Sequence, residues 1–196
     1  MRTRRSLHTI IIALLVLVVG QTWGSEKEWV TLTDCQYVDS KTMMATAFAC
    51  AAATRNSERG YFVDAPETTL TYAERTREQS LHFGITLDET MKAGVKAKEC
   101  VQALLQKPFV LRTLWASAAG RARETRYYVL IEVNGKSLAE ILVSRGLARV
   151  KGVGHVLPSG EKSNSYMDRL TALEQEARAK RVGAWSRAAE DKKSTR

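Results

Sequence analysis

Arg59 stands five residues before Asp64, across the short β-prone run Gly60-Tyr61-Phe62-Val63, and Asp64 and Glu67 flank the turn at Pro66. Side chains alternate along a strand, so this spacing can bring an arginine and two carboxylates to one rim. A second arginine, Arg126, opens the most strongly β-patterned stretch of the chain, Arg126 to Val133. Two arginines and two carboxylates are the parts for phosphodiester hydrolysis. One carboxylate can hold a hard divalent cation through oxygen, the other can deprotonate a water, and the guanidinium groups can clamp the charge that builds on phosphorus. By spacing alone, the same four residues also read as a surface ion-pair cluster. Beyond the first 24 residues only His82 and His155 remain, so acid–base chemistry falls to carboxylates rather than to a histidine triad or zinc site.

The elements that must position these groups follow from pattern. Trp29 to Val38 alternates loosely and reads as a first strand. Residues 69–88 are polar and irregular, which suggests a surface loop. From Glu89 to Gln106 the apolar positions Met91, Val95, Val101, Leu104 and Leu105 predict an amphipathic helix that stops at Pro108. Phe109 to Trp115 reads as a strand, and Ala118 to Thr125 as a small basic turn in which Arg121 and Arg123 either guide a phosphate backbone or are simply solvated. Asn134-Gly135 is a tight-turn pair. Ser137 can cap a short helix closed by Gly146, Leu147 to Val150 is a brief strand, 151–165 is a loop, and Tyr166 to Arg181 is a last helix stopped at Gly183. Trp115 and Trp185 read as core, and strand alternation should bury one ring of Tyr127-Tyr128. This order predicts an α+β fold, with a five-stranded Greek-key barrel carrying packed helices as the fitting architecture.

Composition bounds the class. The basic start Met1-Arg2-Thr3-Arg4-Arg5, the apolar run Ile10 to Val19 and the small residues before Ser25 read as a secretory signal over residues 1–24; the apolar run, about ten residues, is short for a bilayer span, which needs about twenty. An uncleaved membrane anchor is the alternative. Residues 25–187 then form one domain and 188–196 a charged tail. The remaining 172 residues carry 27 basic and 21 acidic side chains, a charge of +6. A basic exported domain suits a polyanion such as nucleic acid, anionic lipid or cell-wall polymer. The hydrophobic fraction of 44% excludes a disordered chain, a collagen or a multi-span membrane protein. Cys35, Cys50 and Cys100 lack metal-like spacing and read as structural with one thiol left over.

Three blocks, in order, resemble the staphylococcal-nuclease-like (thermonuclease) family: Arg59-Gly-Tyr-Phe-Val-Asp64-Ala-Pro-Glu67-Thr68; Arg126-Tyr-Tyr-Val-Leu-Ile-Glu-Val-Asn-Gly135 with Leu138 to Val150; and Leu173 to Lys180 with Gly183-Ala-Trp185. The likeness spans about residues 30–187. It implies an OB-fold barrel and an exported, calcium-dependent nuclease acting on DNA and RNA. By motif position Asp64 would be a Ca2+ ligand with the Ala65 carbonyl facing the metal, Glu67 the general base, and Arg59 and Arg126 the phosphate-binding arginines. The implied state is a monomer that is secreted or periplasmic and touches a membrane only through an uncleaved leader. The family's nucleotide-stacking tyrosine is missing, with Gly152 near its place.

One departure is serious. The family carries an earlier Asp-Gly-Asp-Thr/Ser motif whose second aspartate is another calcium ligand. Aligned on Asp39-Ser40-Lys41-Thr42, that ligand becomes Lys41, which would repel a cation. Counting back the family's usual distance from Asp64 lands near Ala45 or Thr46 instead, in an alanine-rich stretch where strand pairing should be poorly defined. Met43-Met-Ala-Thr-Ala-Phe48 back-translates to ATG ATG GCN ACN GCN TTY. Read two bases in, this is GAT GGC NAC NGC NTT, which forces Asp-Gly and permits Asp-Gly-Asp-Ser-Phe. Residues 43–58 are therefore either a frame-shifted reading of the normal hairpin or a diverged copy. On either reading the chain lacks one metal carboxylate and is expected to be a poor nuclease, which leaves a catalytically inactive nucleic-acid-binding module as the alternative function.

Overall fold

A computed structural model describes residues 28–39, 42–45, 48–50, 61–117 and 127–186. The expected leader, Arg59, Arg126, the turn at 118–125 and the tail lie outside the described residues. The strands are β1 Val30–Asp39, β2 Thr42–Ala45, β3 Phe48–Cys50, β4 Val63–Asp64, β5 Phe109–Ser117, β6 Tyr127–Val133, β7 Lys136–Ser137 and β8 Arg149–Val150. The helices are α1 Ala73–Phe83, α2 Leu87–Leu104, α3 Leu138–Ser144 and α4 Ser163–Ala179, with 3-10 turns at Leu70–Tyr72 and Gly183–Ser186. An antiparallel sheet runs β3-β2-β1-β5-β6-β7, and β4 and β8 form a separate two-stranded ribbon. The α+β class stands, but among the described residues these pairings leave β3 and β7 as edges, so the expected five-stranded barrel is not closed.

Turn chemistry sets the register of the sheet. Asn134 and Gly135 both take left-handed angles, φ 51 and 72, the primed two-residue turn that matches strand twist between β6 and β7. Between Thr113 and Ser117 the β5–β6 register shifts. The buried Thr113 hydroxyl donates to the Tyr128 carbonyl at 3.0 Å and accepts from the Trp115 amide at 2.9 Å. Trp115 takes φ 53 in this bulge and is turned outward, 37% exposed, so it is not a core residue. Tyr128 is buried, as alternation requires of one ring of that pair. In the alanine-rich stretch the pairing is defined as far as residue 50, with Met43↔Cys50, Met44↔Ala49 and Ala45↔Phe48 in register. Hairpin partners there override weak β propensity; residues 51–58 lie outside the described residues.

Residues 69–88 are not a loop. They hold α1 and the start of α2. The buried face of α1 is Thr76, Gln79 and Phe83, two polar residues out of three, so no apolar stripe announces it. Gly84 ends α1 in the left-handed conformation, and a capping box between Thr86 and Glu89 starts α2 at Leu87, two residues ahead of the expected Glu89. Ser137 precedes α3 without capping it through its side chain; its hydroxyl bonds instead to the Tyr166 hydroxyl at 2.8 Å.

The main core lies where Tyr61, Phe62 and Tyr128 meet Leu142 and Val143 of α3 and Tyr166 and Leu170 of α4. A second cluster, Leu32, Phe109, Leu111 and Val133, packs under Leu105 at the end of α2. A third gathers Phe83, Ile85, Ala93 and Ala177 around Trp185, whose ring lies 4.8 Å from that of Phe83. The Ala184 amide donates to the Gly146 carbonyl at 2.9 Å, so the last described turn joins α1, α2, α4 and the end of α3. Cys100 is a free thiol, and its sulfur accepts from Arg145 Nη1 at 3.0 Å. Among the described residues no helix is long and apolar enough to cross a membrane.

Candidate functional site

Asp64 and Glu67 sit on the short segment that leaves β4. Phe62, one residue upstream of β4, takes φ 69 and is 1% exposed, its ring edge-on to Tyr166 at 4.9 Å. A left-handed conformation at a buried aromatic is costly, and it is held here by backbone bonds on both sides: Phe62 N–H to the Val153 carbonyl at 3.2 Å, and Lys151 N–H to the Phe62 carbonyl at 3.0 Å. The ribbon then pairs Val63 with Val150 and Asp64 with Arg149. Beyond it, the Pro66–Glu67 backbone lies directly on α2 at Gly94. A methyl group on Gly94 would come within 2.5 Å of the Glu67 carbonyl oxygen and 2.6 Å of that of Pro66. Glycine at this helix position is what admits the turn.

Helix α1 covers the other side. The fully buried Gln79 spans the turn with one amide group. Its Nε2 donates to Asp64 Oδ2 at 3.1 Å and to the Ala65 carbonyl at 2.9 Å, and its Oε1 accepts from the Glu67 amide at 2.8 Å. Only this orientation of the amide satisfies all three. Arg149, 4% exposed in its side chain, donates from Nε to Asp64 Oδ2 at 2.8 Å, and its Nη2 lies 2.8 Å from the same oxygen and 3.4 Å from Glu78 Oε2. Arg75 donates from Nη2 to Asp64 Oδ1. Its Nε is 2.8 Å from Glu67 Oε1, an ion-pair contact without the angle of a hydrogen bond. Glu78 in turn pairs with Lys151. Asp64, Glu67 and Glu78 thus face Arg75, Arg149 and Lys151 in a balanced cluster.

A cleft of about 500 Å³ opens beside this cluster, lined by Asp64, Glu74, Arg75, Glu78, Arg149 and Lys151, with Val63, Gly152 and Val153 also on its wall. Asp64 reaches the cleft. Glu67 does not line it: the residue is 3% exposed, and Arg75, which does line the cleft, lies against it. Burial, and then the Asp64 charge, raise the Glu67 pKa to about 7, although Arg75 pulls the other way.

This shift has a stability consequence. The folded state holds a proton that the unfolded chain, at the ordinary value of 4.5, releases. The contribution to stability is therefore complete below pH 4.5 and is lost as pH rises to about 7, by roughly 3 kcal/mol. Denaturant unfolding in chelator at pH 5 and pH 7.5 should show this slope in the parent and lose it in Glu67→Gln. Parallel profiles for the two proteins would contradict it.

Of the four residues the spacing singled out, the structure places Asp64 and Glu67 together, joined through Arg75; Arg59 and Arg126 lie outside the described residues. Arg75, Gln79 and Arg149 were not foreseen. Arg149 had a signal, since it falls in the Leu147–Val150 strand and pairs across the ribbon with Asp64. Arg75 and Gln79 had none, because their helix shows no apolar period.

The family's calcium ion can be tested against these groups. Asp64 Oδ2 and the Ala65 carbonyl do converge, since one nitrogen of Gln79 reaches both. Yet both oxygens of Asp64 already accept from guanidinium groups, and two positive charges face its single negative one. Among the described residues no cluster of three or more His, Cys, Asp or Glu could hold a metal. The described residues as arranged therefore do not fit a divalent cation.

The chain belongs to the staphylococcal nuclease homologue family, whose model matches residues 59–187, more than half of its length. The matched span takes in Arg59, Asp64, Glu67 and Arg126. No curated protein matches the chain.

Proposed function

We propose that this chain binds the phosphodiester backbone of DNA or RNA in the cleft beside Asp64, and that it is built to hydrolyse that backbone but does so poorly with its present sequence. The observation that carries this reading is that Arg75, on the wall of an open cleft, joins Asp64 at that cleft to Glu67 buried behind it, inside a nuclease-family domain. Arg75, Arg149 and Lys151 on the wall, each now paired with an acid, are the groups that can turn to the phosphates of a backbone. Glu67, with a pKa near neutrality, is suited to take a proton from water once Arg75 moves off it. Arg59 and Arg126 are assigned the charge that builds on phosphorus. Calcium dependence belongs to this proposal as the family's habit, and it requires a carboxylate that the described residues do not provide.

The second reading, a non-catalytic nucleic-acid-binding module, is favoured by one specific observation: both carboxylates are held by guanidinium groups. Export through a leader at residues 1–24, with membrane retention if it is not cleaved, and a monomeric domain over residues 25–187 with a charged tail at 188–196 complete the proposal.

The test uses the full chain with labelled single-stranded DNA. Binding should weaken steeply between about 50 and about 200 mM salt. Calcium-stimulated cleavage that chelator stops supports the enzyme; salt-sensitive binding without cleavage supports the module. Absence of both removes nucleic acid as the partner.

A further inference from the structure

We propose that Arg75 is the cation built into this site and the barrier that any divalent ion must displace. Four observations converge on it. Among the described residues Arg75 alone contacts both carboxylates, through Nη2 to Asp64 and Nε to Glu67. It stands against the general-base candidate on the side of the cleft, so a single side chain covers Glu67 and occupies an oxygen of Asp64. Its hold is imperfect: Nε is buried and makes no hydrogen bond of good angle. It is also the movable arginine, with 22% of its side chain exposed in the first turn of α1 and a 500 Å³ cleft to turn into, whereas Arg149 is 4% exposed and fixed by the ribbon.

Charge decides the consequence. Asp64 alone sets one negative charge against the two of Arg75 and Arg149, and an ionised Glu67 brings the sum only to zero; the neighbouring Glu78 and Lys151 cancel. A pocket with no net negative charge, whose Asp64 oxygens are already donor-paired, gives a hard divalent cation little to gain. Loss of the Arg75 charge makes the site one unit more negative and releases one oxygen of Asp64 and one of Glu67. A guanidinium displaced toward the cleft would then face the phosphate of a bound backbone. Only this last step rests on the function proposed above; the metal exclusion does not.

The experiment is a Mn2+ titration of the full chain, followed by the spin-resonance signal of free Mn2+, with no nucleic acid present. Its outcome is therefore independent of any cleavage assay. Arg75→Gln should bind Mn2+ at least about tenfold more tightly than the parent, and Asp64→Asn in that background should abolish the gain. Arg75→Lys, which keeps the charge but reaches only one carboxylate, should show a smaller gain and serves as the readout if Arg75→Gln does not fold. Parent-like affinity in every Arg75 variant that folds, or a gain that survives Asp64→Asn, overturns the proposal.

Discussion

Arg149→Met should lower the melting temperature by roughly 10 °C, the largest stability loss expected from any single change at this site. Asp64 is 6% exposed and Arg149 3%, so each charge depends on the other for its hydration substitute. Breaking a buried pair by removing one partner costs about 3–5 kcal/mol, because the remaining charge stays desolvated. A domain of this size loses about 2–4 °C per kcal/mol. Asp64 would keep Gln79 and Arg75, so the lower part of that range applies. The cost should shrink when Asp64→Asn is added, because the stranded charge is then gone. Thermal melts of the four members of this cycle check it. Additive losses would mean that Arg149 acts through the β4–β8 ribbon alone.

The second large effect is a gain. Reading the coding DNA across residues 43–58 in the shifted frame, if it encodes Asp-Gly-Asp, and expressing that version should raise calcium-dependent DNA cleavage roughly a hundredfold, the rate equivalent of about 3 kcal/mol. A second carboxylate would add the charge that Asp64 lacks, and a cation held by two acids would compete with Arg75 on better terms. Chelator should silence both versions equally. Equal cleavage by the two proteins would refute the requirement, and a shifted frame that does not encode Asp-Gly-Asp would remove the frame-shift reading.

Much of this molecule was legible in its residues, and what was missed has a common cause. Asp64 and Glu67 could be found because a proline turn between two acids is a local pattern, and α2 because its apolar stripe repeats with helical period. Helix α1 was hidden by its polar buried face: positions that would advertise a helix by being apolar are Thr76, whose hydroxyl bonds to the Thr69 and Tyr72 carbonyls, and Gln79, which holds the Asp64–Glu67 turn. Gln79 can be understood only once Asp64, Ala65 and Glu67 are folded around it, since its three partners lie 12 to 15 residues away. Trp115 misled in the opposite direction. A large ring on a strand reads as core, but a threonine hydroxyl two residues earlier creates the bulge that turns it to solvent. Expecting a closed barrel failed at a similar level, because edge pairing depends on long-range partners that no local period encodes.

The turn at Gly183–Ser186 lies at the very end of the described chain, yet it brings Trp185 against Phe83 of α1 and ties Ala184 to Gly146. A chain still being synthesised cannot make these contacts until Trp185 has been added. Of the three core clusters, the one around Trp185 is therefore the last that can close. Termination upstream of Gly183 would take Ala184 and Trp185 out of it and leave Phe83 and Ile85 without their cover.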